Sequence, residues 1–350
     1  LVLMAFARFA KALLVYVAAA LCLRDMRDLR TALASLALSL VLQALVCLKL
    51  RYLNGQFQVR GLFEHQNPMA MWAYMSGCVV FAAALHKETR GGLLWLCLGG
   101  CAAAGLCVLL AVSRAALAAY AVGAALVLAM AWLKRPSART LAATLMGVAG
   151  AALVAAFAMD ALKHRLEEVK LGLEKSEVEL RDVLNEQSRA MRDDNPLLGL
   201  GWNNFGIANS RPQGADYSGI LEDWDASRGF RIVEENYLAN PLTESLYWLL
   251  MAENGWTGWA LFLLFQGITL VTALRAWRRD PGGLAGYAAF AILTALTLCY
   301  LHGNVERILT QVKNLSHWLL LAGLAAGMAR RGARLSNGRP ENAADTLQQR

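Results

Sequence analysis

Four arginines and one glutamate carry most of the chemistry that this chain can be expected to perform. Arg60 stands in QVRGLFEHQNP, Arg114 in AVSRAAL, Arg181 in ELRDVLNEQSRAMRDDNP and Arg307 in HGNVERIL. A guanidinium is a planar fork of donors that grips phosphate oxygens two at a time. Arg114 is the most informative of the four. It interrupts two apolar runs with only Ser113 beside it, so the spacing predicts a tight helical hairpin at the membrane surface, where an arginine is costly without a partner. The competing reading, for Arg114 and for Arg307, is a side chain reaching out to lipid headgroups. Glu64, His65, Gln66 and Asn67 lie directly before an apolar run and are suited to orienting a sugar or donating to a diphosphate. A helix starting on Asn67, with Pro68 in its first position, explains Asn67 and leaves the other three open. Glu244 falls in the expected first turn of a helix beginning near Asn240-Pro241, a place where the helix dipole alone stabilises a carboxylate. Glu253-Asn254-Gly255 reads as a helix break. In NPLLGLGWNNFG, residues 195–206, Trp202 offers either a face for a pyranose ring or a core for its own loop. His86 reads as an interfacial residue, and His302 and His317 as possible supporting groups. Arg8 and Lys11 sit one turn apart in the first apolar run and are candidates to line a polar cavity. Cys97 and Cys101 share a helix face without His or acidic neighbours, and no segment has metal-ligand spacing, so neither metal nor cofactor is expected.

These residues must be positioned by membrane helices. Of the 350 residues, 57% are hydrophobic and 17% charged, far from the balance of a chain that buries one core in water. Nine apolar runs, at about 1–23, 31–50, 69–86, 93–112, 115–133, 140–162, 246–274, 284–301 and 315–329, are mostly long enough at about 1.5 Å per residue to cross about 30 Å of hydrocarbon. The fold expected is all-α: a polytopic transmembrane helical bundle of about nine spans with a large, mainly helical external loop. The chain opens on Leu1 rather than Met, so nine is a minimum and the first run is not read as a cleavable signal peptide. The net charge of +8 is distributed across connections rather than gathered into a nucleic-acid surface. One alternating set of connections, with the C-terminal tail, holds sixteen Lys and Arg and the other set six, which puts the first set in the cytoplasm. The expected divisions are N-terminal spans over 1–162, a large external loop over 163–245, C-terminal spans over 246–329 and a disordered cytoplasmic tail over 330–350. In the loop, Leu162, Leu166, Val169, Leu173, Leu180, Leu184 and Met191 recur at near-helical intervals, predicting an amphipathic helix that Pro196 ends. Residues 206–235 read as irregular.

The order of these segments resembles the O-antigen ligase and polymerase family of bacterial envelope glycosyltransferases. The resemblance rests on GLFEHQNPMAM, the Ser113-Arg114 hairpin, a large external loop, Arg181 fifteen residues before Pro196, PLLGLGWNNF from Pro196 to Phe205, and YWLLMAENGWTG. It covers about residues 55–260. One position departs from the family: eleven residues before Gly255, where members usually carry His, this chain carries Glu244. Either Glu244 takes the histidine's role, or His65 or His302 does, or the activity is altered. The resemblance implies a multi-pass protein of the bacterial cytoplasmic (inner) membrane whose partners are an undecaprenyl diphosphate-linked glycan donor, a lipid- or glycan-hydroxyl acceptor and membrane lipids, with no nucleic acid. The implied reaction is inverting and metal-independent: ligation to lipid A-core or polymerisation of polysaccharide. Glu244, Arg181 and Arg114 are then the expected catalytic residues, converging on one diphosphate, with Arg60, His65, Asn67, Trp202 and Arg307 binding substrate. The alternatives are a protein O-oligosaccharyltransferase, a non-catalytic membrane transporter, and a lipid-binding scaffold.

Overall fold

The computed structural model describes residues 2–134, 136–150, 173–209 and 243–336, and every regular element among them is helical. The helices are α1 (Val2–Cys22), α2 (Met26–Leu48) continuing into a π-helical turn (Lys49–Leu53), α3 (Gln66–Leu85), α4 (Gly91–Ala111), α5 (Arg114–Lys134), α6 (138–150), α7 (Leu173–Asp194), α8 (Phe205–Asn209), α9 (Leu246–Arg279), α10 (Leu284–His302) and α11 (Val312–Ser336). Six of these, α2 with its π turn, α3, α4, α5, α9 and α10, are long and apolar enough to span a membrane, so the protein is multi-pass. The expected count of nine is not reached. The run at 140–162 passes out of the described residues after 150, and α11 opens with Lys313, Asn314 and His317, which dilute its apolar stretch. In α1, Arg8 and Lys11 are both exposed.

The chain divides into two compact units. Unit 1 comprises Leu1–Arg8, Leu145–Phe265 and Gly303–Thr310; unit 2 comprises Phe9–Thr144, Gln266–His302 and Gln311–Arg350. Unit 2 is a helical bundle built on α3, which packs against α2, α4, α5, α10 and α11. Its sequence, QNPMAMWAYMSGCVVFAAAL, is apolar on all sides, as a helix enclosed by others must be. Small residues set the spacing: a Cβ at Gly77 would lie 2.7 Å from that of Ala104, and one at Gly100 would lie 3.0 Å from Ala37. Gly323 and Gly327, four residues apart on α11, let it close on the α1 backbone at Tyr16 and Ala20, the small-residue spacing by which membrane helices approach.

Several helix ends differ from the sequence expectation. Helix α3 starts at Gln66 with His65 as its cap, Nδ1 accepting from the Asn67 amide at 3.5 Å. Asn67 is therefore inside the first turn rather than before it. Helix α9 starts at Leu246, several residues after Pro241, and Ser245 precedes it, its carbonyl accepting from the Leu249 amide at 3.0 Å. The reason is a long-range contact: buried Thr243 donates to Asn185 of α7 at 2.9 Å, holding 243–245 out of the helix. Glu244 thus stands just ahead of the helix rather than in its first turn. His86 is buried rather than interfacial, its Nε2 bonded to the Gly282 carbonyl at 3.1 Å and its ring edge-on to Tyr287. Helix α11 runs through Ser336, so the tail expected to be disordered from 330 is helical over its first residues; residues 337–350, like 163–172 and 210–242, lie outside the described residues.

Candidate functional site

In unit 1 the turn and the helix break foreseen in the sequence turn out to be two halves of one joint. Helix α7 ends at Asp194, before Asn195-Pro196, as proline requires. Helix α9 is broken at Gly255, whose φ of 61° and ψ of −167° leave the helical region. In an unbroken helix the amides of Trp256 and Thr257 would bond the carbonyls of Ala252 and Glu253. Here the 196–201 turn occupies that gap. Trp256 N–H donates to the Pro196 carbonyl at 2.8 Å and Thr257 N–H to Leu197 at 3.3 Å, while the freed Ala252 and Glu253 carbonyls accept from Leu200 and Gly201 at 2.9 and 2.8 Å. Every backbone group the break releases is satisfied by the inserted turn, which is what burial of a helix interruption demands. The glycines follow from that approach. A Cβ at Gly199 would fall 2.6 Å from the Glu253 carbonyl oxygen, and one at Gly255 would fall 2.5 Å from the Leu197 carbonyl oxygen. Glu253 completes the joint from inside: its buried carboxylate accepts from the Phe205 amide at 3.2 Å, and Met191, Phe205, Leu249 and Ala252 form the core beneath.

Around this joint the charged side chains gather. The Leu246 amide donates to the Gly303 carbonyl at 2.8 Å, which ties the segment carrying Arg307 to the start of α9 and so to Glu244. Burial lowers the pKa of Arg307, and the negative charges of Glu244, Glu306 and Glu253 act in the opposite direction to hold its proton. Arg307 and Glu244 are both half-buried. The arrangement is a half-buried carboxylate that feels the charge of a half-buried cation. On α7, Arg189 and Arg192 are three residues apart and so share a face. Arg189 lies over the Trp248 ring at 4.8 Å, and Arg192 over Trp248 at 5.7 Å and Trp256 at 5.4 Å. Arg192 is also paired with Asp193 at 2.6 Å. The backbone of Arg181 belongs to α7, but its side chain lies outside the described residues. Trp202 is 48% exposed, so it does not form a loop core.

The other expected site residues belong to unit 2. Arg114 opens α5 after the two-residue link Val112-Ser113, with Val112 in the left-handed region at φ 55°. The hairpin read from the sequence is present, and Arg114 is exposed. Arg60 and His65 are exposed in the loop before α3, and Asn67 is half-buried. Near them a cavity of about 540 Å³ is lined by Ser39, Gln43, Leu62, Phe63, Trp72 and Lys313. His302 and His317 are buried and hydrogen-bonded to α3: Tyr74 Oη meets His302 Nδ1 at 3.4 Å, and Ser76 Oγ meets His317 Nε2 at 3.0 Å. Of the expected site residues, the structure brings together Glu244 and Arg307.

Comparison with known families bears on this geometry. Residues 99–263 match the O-antigen ligase family. Over that stretch, 165 of the 350 residues, the chain is similar to the O-antigen ligase family. A search of curated proteins gave no match. The matched region runs from within α4 to within α9, and includes the Arg114 hairpin, Arg181, the joint and Glu244. Arg60, His65, Asn67 and Arg307 lie outside it. Sequence reasoning about the family pattern missed Arg189, Arg192 and Trp248. Arg189 and Arg192 stood in the quoted segment around Arg181, and their spacing of three was a signal for a shared face. Nothing in the sequence indicated the indole opposite them.

Proposed function

We propose that the protein transfers a glycan from an undecaprenyl diphosphate carrier to a hydroxyl acceptor at the outer face of the cytoplasmic membrane, with Glu244 accepting the acceptor's proton. The observation that supports this reading best is the half-buried Glu244 carboxylate set against Arg307 at the joint, within the region matching the O-antigen ligase family. The acceptor oxygen attacks the anomeric carbon from the face opposite the diphosphate. The new C–O bond forms as the bond between the anomeric carbon and the diphosphate oxygen breaks, the diphosphate leaves with the electron pair, and the hydroxyl proton passes to Glu244. Carboxylates do this work when held against the attacking group, and Arg307 keeps the charge and direction of this one. The departing diphosphate develops negative charge that a guanidinium stabilises; Arg181 carries that role in this reading. For Arg114, in unit 2, the same role rests on its residue type, its hairpin and its place in the matched region. The alternating charge of the connections puts the 163–245 segment outside the cytoplasm. Lipid A-core ligation and polysaccharide polymerisation differ in the acceptor alone, and the acceptor is what the assay must vary.

The test is reconstitution of the full chain in liposomes with a lipid diphosphate glycan and candidate acceptors. Arg114→Ala, Arg181→Ala and Glu244→Gln should each insert and accumulate while losing transfer, by about 100-fold or more for loss of a base or of an anion-stabilising group. Undiminished transfer by Glu244→Gln removes that residue from the chemistry, and undiminished transfer by both arginine variants removes the diphosphate role.

A further inference from the structure

We infer that Arg189, held flat on the Trp248 indole, is a further anion-gripping residue that binds the diphosphate of a prenyl carrier. The inference deepens the reading above and rests on its diphosphate donor. The two stacked arginines of α7 differ in one respect that decides their roles. Arg192 sends Nε and Nη2 to Asp193 Oδ1 at 2.9 and 2.6 Å, so its charge is already paired and one edge of its fork is in use. Arg189 lies 4.8 Å over the centre of the Trp248 ring and is exposed, and among the described residues it pairs with no carboxylate. A guanidinium carries five N–H donors in one plane. Stacking on an aromatic face uses none of them: it fixes the plane and leaves the donor edge free. An arginine in this state has much of its side-chain freedom removed before any ligand arrives, which lowers the entropic cost of binding. The edge geometry matches two phosphoryl oxygens.

The support under this pair is a buried apolar cluster. Met191, between the two arginines, is fully buried against Phe205, Leu249 and Ala252, so the α7 face that carries Arg189 is fixed to the first turn of α9 that carries Trp248. Trp248 follows Glu244 by four residues and its own amide faces Ser245 Oγ at 3.5 Å. The start of α9 thus presents the proposed proton acceptor and the stacked arginine's platform within a single short stretch, as a site for a diphosphate-linked sugar and its acceptor would require.

The experiment is titration calorimetry of the purified full chain with farnesyl diphosphate, with farnesol, with inorganic pyrophosphate and with short-chain phosphatidylglycerol. Variants are Arg189→Ala, Arg189→Lys and Trp248→Phe, each first shown to melt at the parent temperature. The expected result is a loss of tenfold or more in farnesyl diphosphate affinity for Arg189→Ala, a smaller loss for Arg189→Lys, whose ammonium offers no fork, and near-parent affinity for Trp248→Phe, which keeps a ring. Farnesol affinity should not change. Parent-like diphosphate binding by Arg189→Ala overturns the inference, and so does an equal loss for farnesol, which would mark a purely structural role. A loss confined to phosphatidylglycerol overturns it in favour of a headgroup contact. Failure here is separable from failure of the proposed function: Arg189-dependent diphosphate binding can persist where Glu244 variants transfer normally, and the reverse pairing sinks the inference alone.

Discussion

The two units use the same polar residue types for opposite ends. In unit 2, His302, His317, Tyr74 and Ser76 are buried, and each histidine makes a hydrogen bond to one central helix. Trp318 and Tyr300 continue the pattern, the indole donating to the phenol at 3.1 Å. In unit 1 several charged groups sit at the edge of the fold: Glu244 and Arg307 are half-buried, and Arg189 is exposed on an indole. A neutral buried pair lowers the cost of putting a polar group inside a bundle and has little left to offer a ligand. A charge held at an edge by aromatic stacking or by one counter-charge keeps its remaining valence. The backbone tells the same story. Unit 2 is held by side-chain packing between continuous helices, whereas unit 1 is held by four backbone hydrogen bonds exchanged between a turn and a broken helix. That joint fixes the position of the residues around it to a degree that side-chain packing at a loop would not.

The strongest way to break this contrast is at the joint. Gly255→Ala should be among the most damaging single substitutions in unit 1. Its backbone conformation costs a non-glycine residue about 1–3 kcal/mol, and the added Cβ would meet the Leu197 carbonyl oxygen at 2.5 Å, so the turn must leave the gap. Transfer should be lost and limited proteolysis should cut within 195–209, while the bundle still inserts. Parent-like protease resistance would show that the joint is not what orders the segment.

Next in size is Arg307→Met. Removing a charged partner from a half-buried carboxylate is worth about 1.5–3 kcal/mol, or about 10- to 100-fold in rate if it is felt in the transition state. The expected loss is in kcat, with KM for the glycan donor little changed; a change in KM alone would make Arg307 a binding residue instead of one that positions Glu244.

In unit 2 the corresponding change, His317→Leu, leaves Ser76 buried with an unmatched hydroxyl and should lower stability by about 1–3 kcal/mol, read as a drop in melting temperature without a matching loss of transfer per folded molecule. The smallest effect sharpens the contrast from the other side. Gly99, within α4 and with its nearest neighbour atom at 3.8 Å, should accept alanine with a gain of about 0.5–1 kcal/mol, where Gly199 and Gly255 do not.

How much of this was legible in the sequence follows the range of the interaction. The stop of α7 before Pro196, the two-residue hairpin before Arg114 and the break at Gly255 all depend on residues within a few positions, and they were read from the residues alone. The start of α9 was misread because Pro241 is a good first helical residue, but the outcome was set by Thr243 reaching Asn185, 58 positions away. The cap of α3 was misassigned to Asn67 for a related reason: Asn is a common cap, yet the His65 ring reached the Asn67 amide first. The stacking of Arg189 on Trp248 and the insertion of Glu253 under Phe205 leave no local trace, since each joins segments far apart in the chain. The family resemblance singled out position 244 for the proposed proton acceptor, and the structure adds the charge of Arg307 to its surroundings.

The most direct test of the central claim is a pH profile of glycan transfer by Glu244→His in liposomes, measured beside the parent and Glu244→Ala. An imidazole gives up its proton at a higher pH than a carboxylate does, about 6.5 against about 4.3 for the free groups. If the residue at 244 accepts the acceptor's proton, Glu244→His transfers glycan with its acid limb displaced to higher pH and Glu244→Ala transfers almost none. An acid limb that stays where the parent has it, or full transfer by Glu244→Ala, would contradict the account.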